Sequence, residues 1–123
     1  MHYVTARKRA EGLGAAGSGT EHHWYMKVSS VGLAIVMPVF LVVFGRAVGG
    51  DRAEVLATFA NPAMAILTGI VIFFGLRHFA CGAQTMIEDY AQGGTRRALV
   101  IFVTILSYAM IATGLFALAK IAL

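Results

Sequence analysis

The sequence predicts an all-α integral membrane protein, a bundle of three transmembrane helices. Three observations carry that prediction. Hydrophobic residues make up 59% of the 123 residues and charged residues only 13%, against roughly 25% charged in soluble domains. The apolar residues are gathered into three uncharged runs, residues 28–45, 55–76 and 98–119, each with a charged residue at either end. A soluble chain this short also has too much surface for its volume to hide that much apolar area. Lipid is the solvent that fits.

Each run holds 18 to 22 residues, enough to cross a hydrocarbon core of ~30 Å at 1.5 Å per residue. The runs must be helical, because lipid offers no partner to an unpaired backbone group. The first span is expected at about residues 28–48, with Pro38 inside it predicting a kink. The second starts near Asn61-Pro62, where the proline suits a first turn, and continues past Arg77 to about residue 88. The third covers about residues 98–120. Residues 1–27 then form an N-terminal segment and residues 28–123 the membrane domain. The glycine-rich stretch 12–19 reads as a flexible link and not a phosphate loop, since no Gly-Lys-Ser/Thr follows it. The basic cluster Arg7-Lys8-Arg9 is not followed by an apolar core, so no cleavable signal peptide is expected.

The charges orient the bundle and exclude some functions. Arg7, Lys8, Arg9, Lys27, Arg96 and Arg97 fall on one side, and Arg46, Arg52 and Lys120 on the other. That bias puts the N-terminus and the second loop in the cytoplasm and the C-terminus outside. Trp24 and Tyr25 then mark the cytoplasmic interface. The formal charge of +4 is spread over loops, the membrane pattern, and does not suggest a nucleic-acid partner. Cys81, the single cysteine, excludes a disulfide framework or a paired-cysteine metal site and reads as a packing residue. No internal repeat of the transporter kind is visible.

Most of the chemistry lies in the last third of the second span. At 100° per residue, Gly82, Thr85 and Asp89 come within about 40° of His78 around the helix axis. Arg77, Cys81, Gln84 and Glu88 form an adjoining stripe. Polar residues on one side of a membrane helix face a bundle interior, a cofactor or water, because facing lipid is costly. His78 is expected about nine residues, or roughly 14 Å, inside the cytoplasmic end of its helix. An imidazole there can bond a neighbouring helix, relay protons or ligate a metal, and spacing leaves all three open. Gly82, one turn on, leaves room for a flat macrocycle or for close helix packing. A six-coordinate haem needs a second axial ligand, and His2, His22 and His23 all precede the first span. Met37, Met64, Met86 and Met110 are available but read as packing residues, so a second ligand from a partner chain is the simpler arrangement. Asp89 and Tyr90 close the helix at the interface. They read either as a solvated acid and a belt tyrosine, or as a phenol donor and a supporting carboxylate for a quinone head group.

The spacing His-x3-Gly-x6-Asp-Tyr near the end of the second of three spans resembles the smaller membrane-anchor (D) subunit of succinate dehydrogenase, complex II. It is carried here by His78, Gly82, Asp89 and Tyr90. The segments HFACGAQTMIEDY and EHHWYMKVSS extend the likeness to alphaproteobacterial members, and it covers essentially the whole chain. The resemblance implies one half of a cytochrome b anchor pair in the inner membrane, with a periplasmic C-terminus. It implies His78 as an axial ligand to the iron of haem b, Gly82 packing against the haem, Tyr90 hydrogen-bonded to ubiquinone and Asp89 supporting the quinone pocket. The implied partners are a larger cytochrome b556-type C subunit, an iron–sulfur subunit and a flavoprotein subunit. The implied function is electron transfer from succinate to quinone, with no succinate-oxidising site in this chain. Arg77 has no counterpart in that pattern; Glu88, a propionate or a partner chain are its open pairings. His23 is expected at the interface. Lys27, Ser29 and Ser30 either border the quinone entrance or pack at the helix start. Fumarate reductase anchors are a close variant. Two further readings are a transporter or channel subunit, with Arg77, Gln84, Glu88 and Asp89 lining a path, and a purely structural assembly anchor.

Overall fold

The computed structural model describes residues 4–12 and 20–123. His2 and most of the predicted 12–19 link lie outside the described residues. Five helices follow one another: α1 Ala6–Glu11, α2 Glu21–Val48, α3 Arg52–Ala60, α4 Pro62–Tyr90 and α5 Gly93–Ala122. No strand occurs among the described residues. The long helices α2, α4 and α5 are each apolar and long enough to cross a membrane, as the uncharged runs predict.

The boundaries have local causes. Thr5 caps α1 by accepting from the Lys8 amide at 3.1 Å. α2 begins seven residues before its uncharged run and continues as helix through Pro38. Glu21 in its first turn and Arg46 in its last complement the helix dipole. The short α3 was not expected from hydropathy, because its apolar residues merge with the run that follows. Its signal is a capping box. The Asp51 carboxylate accepts from the Glu54 amide at 2.8 Å, and the Glu54 carboxylate accepts from the Asp51 amide at 3.3 Å. Asn61 then caps α4, accepting from the Ala63 amide at 3.0 Å, with Pro62 in the first turn. Between α4 and α5 stand only Ala91 and Gln92. Gly93 makes the reversal at φ 59°, where a side chain would be strained.

α4 is the central helix. It packs along α5 on one side and α2 on the other, whereas α2 and α5 do not approach each other; α3 touches all three. The α4–α5 seam is close. A Cβ added at Gly114 would stand 3.2 Å from Ile72, and one at Gly69 would stand 3.7 Å from Leu115 and Leu118. Small residues at a membrane helix seam let backbones approach, so that dispersion replaces the hydrophobic force that lipid cannot supply. The buried residues fit this: Ala47, Ala80, Cys81, Ile87, Ile111, Ser29 and Ser107. Large apolar side chains point outward, Ile35 on α2 and Phe116 on α5 each 68% exposed. In water such faces would drive aggregation; in lipid, or against a second membrane subunit, they are in their proper solvent.

Candidate functional site

The site is built where the start of α2 lies antiparallel to the last third of α4. Three contacts fix the register. Ser29 Oγ is 2.8 Å from His78 Nδ1, the Met26 methyl lies 3.8 Å from where a Cβ on Gly82 would be, and His22 Nε2 is 3.4 Å from Thr85 Oγ1. His78, Gly82 and Thr85 thus share one face of α4, as their spacing requires. His78 stands level with Ser29, two residues and so about 3 Å of rise inside Lys27. Along α4 it lies twelve residues before the last helical residue, Tyr90.

The hydrogen bonds around His78 favour one tautomer. Ser29 is 6% exposed, and its hydroxyl donates to the Tyr25 carbonyl at 2.7 Å, with the Met26 carbonyl at 3.1 Å. A hydroxyl has one proton. With that proton on the carbonyl, Ser29 Oγ accepts from Nδ1–H of the imidazole. Nε2 then carries the lone pair. It makes no hydrogen bond among the described residues, and the single buried polar side-chain atom without a partner is elsewhere, at Tyr25 Oη. Nε2 is therefore reachable from outside the chain. An imidazole held by its inner nitrogen and open at its outer one is the arrangement a metal ligand requires. No group of three or more His, Cys, Asp or Glu among the described residues could hold a bare ion.

Gly82 leaves open space beyond Met26 on this face. Ile70 and Phe74 precede His78 on the same side of α4. With Tyr25, Val28, Ser29 and Gly32 of α2 they line an apolar cavity of about 230 Å³. Asp89 and Tyr90 lie in the final turn, both exposed, Tyr90 at 88%. Neither makes a hydrogen bond or ion pair within the described residues, so both are free to meet a ligand or partner at this end of the bundle. His23 is exposed; the histidine that reaches α4 is His22. Cys81 is buried in the packing.

The adjoining stripe divides. Glu88 accepts from Gln84 Nε2 at 3.0 Å and lies 3.6 Å from Arg96, a pair exposed at the α4–α5 turn. Arg77 does not join them. Its guanidinium carbon sits 5.6 Å from the Tyr25 ring centre and 5.3 Å from that of Tyr108, bridging the gap between α2 and α5. Two aromatic faces answer a cation that has no carboxylate at that depth. The four polar groups suggested for a transport path are thus split between a surface cluster, a tyrosine clamp and the helix end. Ser29 and the tyrosine clamp were not legible as such. Spacing along one helix gives faces, not which residues of another helix stand opposite.

Residues 1–117 match the family described as succinate dehydrogenase/fumarate reductase transmembrane subunit. The chain belongs to that family. Over its whole length it is 46% identical to the succinate dehydrogenase hydrophobic membrane anchor subunit of Paracoccus denitrificans, 95% of which is covered. No solved structure matches the chain. The chain is thus a multi-pass membrane-anchor subunit of a succinate dehydrogenase/fumarate reductase complex, and its exposed apolar faces are those of one subunit in a membrane assembly.

Proposed function

We propose that this anchor subunit works in a succinate:ubiquinone oxidoreductase, where it helps bind haem b and ubiquinone and docks the iron–sulfur and flavoprotein subunits. The carrying observation is the outward-facing, unpartnered Nε2 of His78, with Asp89 and Tyr90 exposed on the last turn of the same helix.

The residues fit haem b. His78 would hold the haem iron through Nε2, together with a group of the larger anchor subunit. Gly82 keeps the surface beside the imidazole low. When bound, the haem would supply one-electron redox chemistry. Every other part falls to the protein. Tyr90, at the helix end, donates its phenolic proton to a quinone carbonyl and orients the ring. Asp89 pairs with a cation of the larger anchor subunit and holds the pocket wall. The succinate-oxidising site belongs to the flavoprotein subunit, and electrons arrive at the cytoplasmic end through the iron–sulfur subunit. The charge bias supports an inner-membrane topology with the N-terminus cytoplasmic and the C-terminus periplasmic.

The test is purification through an affinity tag on this chain. Flavoprotein and iron–sulfur subunits are expected to co-purify with succinate:ubiquinone reductase activity. Tyr90→Phe should lower quinone reduction roughly 3- to 10-fold, the worth of one hydrogen bond, while succinate-dependent reduction of an artificial dye is unchanged. Equal loss of both activities would refute a quinone role for Tyr90. Absence of a dehydrogenase would refute the docking role.

A further inference from the structure

We propose that Ser29 is a positioning residue for haem binding: its hydroxyl locks His78 in the Nδ1–H tautomer and aims Nε2 out of the chain as the ligating nitrogen. The inference rests on the reading of His78 as an axial ligand.

Ser29 is one of two buried polar residues among those described, and a buried hydroxyl must be paired. Its partners are the Tyr25 carbonyl at 2.7 Å, the Met26 carbonyl at 3.1 Å and His78 Nδ1 at 2.8 Å. With the imidazole proton on Nδ1, the His78 and Tyr25 contacts are both hydrogen bonds: nitrogen to hydroxyl, hydroxyl to carbonyl. With the proton on Nε2, the hydroxyl must turn to Nδ1. One bond is then lost, and two oxygens stand 2.7 Å apart with no proton between them. The first arrangement also leaves the lone pair on the nitrogen that can be reached from outside. Ser30 is a natural control. It bonds only the Met26 carbonyl, at 2.7 Å, and is exposed, so it offers the imidazole nothing.

A hydrogen bond from the non-ligating nitrogen also makes an imidazole a stronger donor, and losing such outer partners costs 10–100-fold in metal affinity. A stronger donor favours the oxidised iron, so removing the Ser29 acceptor should raise the haem midpoint potential. A tenfold change in the oxidised-to-reduced preference corresponds to about 59 mV for one electron.

The experiment compares the purified complex carrying wild type, Ser29→Ala, Ser29→Thr and Ser30→Ala. The readouts are haem per flavin, the low-spin ferric electron paramagnetic resonance signal and the haem midpoint potential. Ser29→Ala should keep its flavin and peripheral subunits, yet show lowered haem per flavin or a potential raised by about 59 mV, with a shifted ferric signal. Ser29→Thr, which keeps the hydroxyl, and Ser30→Ala should match wild type. A Ser29→Ala complex identical to wild type in all three readouts overturns the proposal. Equal failure of Ser29→Ala and Ser29→Thr to assemble also overturns it, making Ser29 a packing residue. A wild-type complex without haem fails at the earlier step, overturning the ligand reading and this inference together.

Discussion

Gly82→Ala separates the two reasons for a glycine one turn from His78. Inside the chain, an added Cβ meets only the Met26 methyl, at 3.8 Å, an ordinary van der Waals distance. The substitution therefore creates no clash between α2 and α4. Replacing glycine by alanine inside a helix favours the helix by about 0.8–1 kcal/mol in host systems. Stability of the anchor should hold or rise. A haem lying against this face must instead absorb a methyl group, and overpacking a filled contact costs about 1–3 kcal/mol. That is roughly a 5- to 150-fold loss of occupancy. The assay is the melting temperature of the purified complex in detergent beside its haem per flavin. An unchanged or higher melting temperature with less haem, or a shifted band, is expected. A lower melting temperature with full haem would refute the reasoning, because Gly82 would then serve helix packing alone.

Three further substitutions probe the fold and the polar stripe. Gly114→Ala places a Cβ 3.2 Å from Ile72 and should destabilise the α4–α5 pair by about 1 kcal/mol; Ile72→Val should rescue part of that loss, as read from melting of the double variant. Tyr108→Leu removes one of two faces holding Arg77. It should cost about 1–2 kcal/mol in the same assay, with a much smaller effect once Arg77 is replaced by Met. Glu88→Gln should leave the melting temperature and its salt dependence unchanged, because its pairing with Arg96 is exposed; a marked loss would show that Glu88 has a partner beyond this chain.

How far these features can be read from sequence depends on their range. Hydropathy found the three membrane helices, because an uncharged run of that length has one stable form in lipid. α2 begins at Glu21, ahead of the apolar run, because charge in residues 21–27 says nothing against a helix. α3 was hidden by the same reasoning in reverse, its apolar residues being counted with the next span. The Asp51–Glu54 spacing was its only cue. At the site, the common face of His78, Gly82, Thr85 and Asp89 was legible, because helical periodicity fixes it. The Ser29–His78 bond and the Arg77 clamp were not. Both depend on the offset between helices, which is set by close packing at small residues and by the two-residue turn at Ala91-Gln92. Glu88, the intrachain partner considered for Arg77, is instead occupied by Gln84 and Arg96.

The central claim is that His78 carries its free nitrogen to a haem shared with a second subunit. The most direct measurement is a reduced-minus-oxidised visible spectrum of the complex purified through this chain, wild type against His78→Ala. The account predicts a b-type α-band in wild type that is lost or altered in the variant, with flavin retained in both. An identical band in both proteins, or flavin and iron–sulfur subunits without any haem band in wild type, would contradict it.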